Sequence, residues 1–225
     1  MKYEISGTTM QTVIVNLDAG ESVYSEGGAM AWMSNNINMQ SEMKGGLGAG
    51  LGRMVTGESL FLVNFTAEGN EGMVTFASDF PGKIIPLKLE EGQKMICQKD
   101  AFMVAEQSVK LKTFFRKKLG AGLVGGEGFI LQEISGPGMF FASLDGEITE
   151  IELQQGEKMK VDTGCLAMFE PTVNFDIEMV KGVKNMLFGG EGLFFATVEG
   201  PGKVWLQSMP VSNLAKAVRR FIPSR

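Results

Sequence analysis

The chain has 225 residues, 44% of them hydrophobic, with a net charge of −5 and a pI near 5.0. That is enough apolar material to bury a core without disulfides or metal, and the acidic balance argues against a nucleic-acid surface, which needs a basic footprint across the domain. Histidine is absent, which removes Ser-His-Asp and Cys-His catalysis, every His-bearing metal site and the commonest general base near neutral pH.

Met1-Lys2-Tyr3-Glu4 leads straight into alternating sequence, with no basic-then-apolar leader and no apolar run long enough to span a bilayer. An unprocessed, cytoplasmic, non-spanning chain is expected. Tyr3, Ile5, Val13, Val15, Leu17 and Val23 follow period two between glycine turns, the pattern of half-buried strands. The more apolar run 27–33 (GGAMAWM) predicts a strand facing core on both sides. Residues 44–53 (KGGLGAGLGR) read as a linker: they lack the Gly-Lys-Ser/Thr ending of a phosphate loop, and strand, not helix, follows. Beyond it, SLFLVNFTAEGNEGMVTFAS predicts two strands joined as a hairpin at residues 68–72.

Leu89 to Leu144 aligns without a gap on Leu153 to Ser208, at an offset of 64, with fifteen identities over 56 positions. Among them are Glu106/Glu170, Gly126/Gly190, Glu127/Glu191 and the Gly-Pro-Gly turns at 136–138 and 200–202. The first segment fits more loosely, with Gly20-Glu21 opposite Gly92-Gln93 and Gly57-Glu58 opposite Gly126-Glu127. The chain therefore reads as three β-repeats, 1–80, 81–146 and 147–210, forming one compact unit, with a helix and tail over 211–225. Each repeat carries LxxG, extended to LxxGxxM in the second and third, and a strand, then a glycine-rich connector, GE and an expected hairpin. Val109 to Lys118 predicts a strand running into a loop, with a short helix as the alternative, and Ser212 to Phe221 a helix capped by Ser212 or Asn213.

Cys97 and Cys165 fall at different repeat positions and read as small buried hydrophobes in a reducing compartment. No serine lies in a GxSxG elbow. Two surfaces remain as candidates. Glu58, Glu127 and Glu191 are equivalent in register, and their convergence could hold a hard cation. The basic runs Arg116-Lys117-Lys118, beside Phe114 and Phe115, and Lys216/Arg219/Arg220 could touch a partner or an anionic membrane.

The recurring GGEG-strand-GPG, together with GAMAWM at 28–33 and LxxGE at 17–21 and 153–157, resembles the altered-inheritance-of-mitochondria family from about Tyr3 to Met209. The resemblance implies an all-β fold of three similar units about a pseudo-threefold axis. Each unit would be a short variant of the double-stranded β-helix, like the subunit of the trp RNA-binding attenuation protein. It brings no catalytic residues and no cofactor. A non-enzymatic scaffold or interaction protein is expected, associating with itself or with a protein partner, and the alternatives are a small-ligand or cation-binding module and a peripheral membrane protein.

Overall fold

A computed structural model describes residues 1–43, 61–117, 129–179, 194–219 and 221. Among them the period-two stretches form nineteen strands, so the protein is nearly all-β. The first part of the chain supplies β1 (Lys2–Ser6), β2 (Thr12–Leu17), β3 (Ser22–Glu26), β4 (Met30–Met33), β5 (Ile37–Met43), β6 (Phe61–Ala67) and β7 (Gly72–Ala77). The second supplies β8 (Gly82–Leu89), β9 (Lys94–Gln98), β10 (Phe102–Glu106), β11 (Lys110–Lys117), β12 (Phe129–Ser135) and β13 (Gly138–Asp145). The third supplies β14 (Ile148–Leu153), β15 (Lys158–Asp162), β16 (Leu166–Phe169), β17 (Asn174–Met179), β18 (Phe194–Glu199) and β19 (Gly202–Gln207), before helix α1 (Val211–Arg219).

The chain divides into two compact units. One comprises Met1–Gln93, Asp100–Leu111 and Ser135–Leu144; the other comprises Lys94–Lys99, Lys112–Ile134 and Asp145–Arg225. In the first unit the sheets run β1-β2-β7-β4 and β5-β6-β3-β10-β13-β8. Alternation along β2 turns Val13, Val15 and Leu17 fully inward, opposite Phe76, Val74 and Gly72 of β7. Phe65 of the six-stranded sheet meets Phe76 of the four-stranded one edge-on at 5.3 Å, so the core fills the space between the two sheets. Burying each such side chain contributes about 1.5–3 kcal/mol.

In the second unit the sheets run β11-β12-β9-β16-β19-β14 and β15-β18-β17. Its core gathers on Phe175 of β17, which stacks on Phe129 at 5.8 Å and on Phe169 at 5.6 Å and takes Phe115 edge-on at 5.3 Å.

Three local expectations change. The expected hairpins are not hairpins: β6 and β7 belong to different sheets, as do β12 and β13, and β18 and β19. At the Gly-Pro-Gly corners, where the Gly136-Pro137 and Gly200-Pro201 bonds are cis, Gly138 and Gly202 take φ of +135° and +139°. These left-handed glycines carry the chain from one sheet into another rather than folding it back on itself. The run 27–33 is not buried on both faces. Among the described residues β4 ends its sheet, with β7 beside it, and Trp32 is 50% exposed; burial on both faces requires covering layers that composition alone does not provide. Finally, α1 begins at Val211, and the carbonyl of Pro210 accepts the amides of Asn213 and Leu214. Ser212 and Asn213 therefore lie inside the helix.

Candidate functional site

Polar side chains recur at matched places in the three stretches, and their partners are the backbone. In the LxxG turns the amide of Asp18 donates to Glu21 Oε2 at 3.0 Å, that of Glu90 to Gln93 Oε1 at 2.8 Å, and that of Gln154 to Glu157 Oε2 at 2.9 Å. At the corners the amide of Met73 donates to Ser34 Oγ at 3.0 Å, that of Met139 to Glu106 Oε2 at 2.8 Å, and that of Lys203 to Glu170 Oε2 at 2.9 Å. The motif residues thus hold turns and sheet crossings. The identity of Glu106 and Glu170 was visible in the alignment, but their role required the corner geometry.

Glu21 also binds the chain terminus, with its Oε1 lying 2.8 Å from the Met1 ammonium. That hydrogen bond holds the ammonium above its usual range. Burial pushes the Glu21 carboxyl up, but the ammonium and the Asp18 amide outweigh it and the carboxyl ends below its ordinary value.

In the second unit Glu133, 7% exposed in the midst of the apolar β12, meets two lysines. Lys94 Nζ lies 3.2 Å and Lys112 Nζ 3.0 Å from the same Oε1. Burial raises this carboxyl, and the two ammonium groups more than reverse the effect. Sequence reading missed the triad, although a carboxylate inside FILQEIS was the available signal.

The basic segments are partly placed. Along β11 alternation sends Phe114 outward, 49% exposed, and Phe115 inward against Phe175. Arg116 and Lys117 belong to β11, and Lys216 and Arg219 to α1, with side chains outside the described set. Lys118 and Arg220 lie outside the described residues, as do Glu58, Glu127 and Glu191 of the candidate cation site. Among the described residues no three Cys, Asp or Glu side chains cluster closely enough to hold a metal ion, and no helix is long and apolar enough to cross a membrane.

A sequence model of the mitochondrial biogenesis AIM24 family matches residues 3–209. The chain belongs to this family. It is 29% identical over 221 residues to an uncharacterized protein of Streptococcus pyogenes serotype M6, covering 94% of this chain and 87% of that protein. A crystal structure of a Streptococcus pyogenes protein superposes with a TM-score of 0.80 at 25% identity, over 98% of this chain and 99% of the other. The molecular function of these AIM24-family proteins is not known. In this member both cysteines are free. Cys97 is fully buried, and burial raises its thiol; Cys165 is half-buried, and burial followed by Asp162 raises it too.

Proposed function

We propose that this AIM24-family protein is a non-enzymatic interaction protein: a tandem of three β-repeats of the short double-stranded β-helix type that associates with copies of itself. The repeat reading draws support from the matched strands, with β9, β10, β12 and β13 recurring near an offset of 64 as β15, β16, β18 and β19, and from the matched turn and corner hydrogen bonds. The non-enzymatic reading draws support from the employment of its recurring polar side chains in backbone bonds.

One observation carries the self-association reading. β10 lies between β3 and β13, and β16 between β9 and β19; both are buried through their apolar residues. β4 holds the corresponding place in the first repeat, yet among the described residues it ends its sheet, and Ala31 and Trp32 are exposed. An apolar strand at a sheet edge is a template for a further strand, and a half-exposed tryptophan is a strong interface anchor. Light scattering across a range of concentrations tests this. The wild-type mass should rise with concentration, Trp32→Lys should remain monomeric, and Trp32→Phe should behave as wild type. A wild-type protein that is monomeric throughout refutes the self-association.

A further inference from the structure

The cations of this acidic protein are not spread evenly. Residues 107–126 hold five Lys and Arg and no acid, and residues 200–225 hold another five and no acid. All other positions together carry eleven Lys and Arg against 26 Asp and Glu. Among the described residues of the second unit, the exposed large hydrophobics are Phe114, Val218 and Phe221. All three fall within these two acid-free runs.

Helix α1 concentrates the coincidence. Leu214, Val218 and Phe221 recur at intervals of four and three residues, the spacing of one helical face. Lys216 and Arg219 interleave them, with Arg220 following the helix. Inside a globular protein such an apolar face is covered. Here Leu214 is half-buried, while Val218 is 48% exposed and Phe221, in the turn after the helix, is 86% exposed. The apolar face therefore emerges from the protein at the end of the chain where the positive charge gathers.

We propose that α1 and the turn after it form an interfacial anchor for membranes of anionic lipid. Charge complementarity selects the anionic headgroups, and the aliphatic Val218 beside Phe221 suits the acyl boundary beneath them, where an amphipathic helix buries its apolar side. A nucleic acid matches the charge but offers nothing to an exposed valine on a helical face. The acid-rich remainder of the chain is repelled by the same surface, which disfavours contact through it. The anchor lies in the other unit from β4 and does not depend on self-association through that strand.

The test is flotation of the full chain with phosphatidylcholine vesicles, with or without phosphatidylglycerol. The protein should float with the anionic vesicles alone and be released by roughly 0.5 M salt, which shortens electrostatic reach to a few ångströms. Lys216→Glu/Arg219→Glu and Val218→Ser/Phe221→Ser should each weaken binding roughly tenfold or more while leaving the circular dichroism spectrum and thermal midpoint unchanged. Trp32→Lys should float like wild type, which separates this surface from the β4 edge. No flotation with anionic vesicles, equal flotation with neutral ones, or full binding by both double variants overturns the anchor. So does a fall in oligomeric mass of Val218→Ser/Phe221→Ser without lipid, which assigns the patch to a protein contact.

Discussion

Glu106 Oε2 accepts the amide of Met139 at 2.8 Å, one residue beyond the left-handed Gly138. Glu170 repeats the arrangement with Lys203 beyond Gly202, and Ser34 Oγ accepts the amide of Met73 at the matching place, where no left-handed glycine precedes it. The carboxylate satisfies an amide at the point where the chain leaves one sheet for another. Glu106→Ala and Glu170→Ala should each cost about 1–2 kcal/mol of unfolding free energy. Glu106→Ser, which copies the first stretch, should recover part of the loss in urea titrations.

Glycines at these crossings differ in what they tolerate. Gly20 has φ +81° and open space around an added Cβ, whereas a Cβ on Gly202, at φ +139°, would lie 2.5 Å from Thr172 Oγ1 and 2.9 Å from Val173 Cγ2. Gly20→Ala should cost about 1 kcal/mol, the backbone penalty alone. Gly202→Ala adds a steric clash and should cost about 2–4 kcal/mol. Equal losses in thermal unfolding would contradict the described crossing.

The strands and their inward faces were legible because period two and glycine turns are local signals; Phe115, read with Phe114 as part of a surface, instead packs inward against Phe175, since alternation along β11 sends only one of the two outward. Which strand pairs with which was not legible. β6 and β7 are neighbours in sequence yet lie in different sheets, and β12 receives its neighbours β11 and β9 from farther back in the chain, past intervening strands in the case of β9. The Glu133 triad was hidden for that reason, since Lys112 and Lys94 reach the carboxylate only through this strand order. The exposure of Trp32 was hidden likewise, because a strand's burial depends on what covers it. Of the candidate site residues, Phe114 stands at the surface as alternation implies, and the glutamates at 58, 127 and 191 lie outside the described residues.

The triad carries a pH dependence. Glu133 sits below its ordinary value of 4.5 in the folded protein. A depressed carboxylate contributes stability that is fully present above its unfolded value and is lost as pH falls through the folded value. At neutral pH, Glu133→Gln should destabilise the protein by about 1–3 kcal/mol, because two lysines lose their charged partner. Below pH 4.5 the gap between wild type and variant should narrow steadily. Guanidinium titrations at a series of pH values measure it, and a gap that widens on acidification would exclude the triad.

The cysteines offer a local probe. Cys165 is half-buried and Cys97 fully buried, with both thiols raised. Iodoacetamide should modify Cys165 slowly in the native protein, faster as pH rises, and reach Cys97 only on unfolding. Mass mapping of the labelled peptides distinguishes the two, and early labelling of Cys97 would contradict its burial.

The seam between β3 and β10, in which Ser25, Tyr24 and Val23 face Val104, Ala105 and Glu106, has a consequence for a chain made from its N-terminus. The sheet containing β3 also needs β13, which ends at Asp145. On the ribosome, β3 therefore waits with one edge unpaired until β10 has emerged, and its six-stranded sheet stays incomplete until Asp145 has been made. Nascent chains stalled before that length should be clients for chaperones that bind exposed apolar strands, and those released beyond it should not.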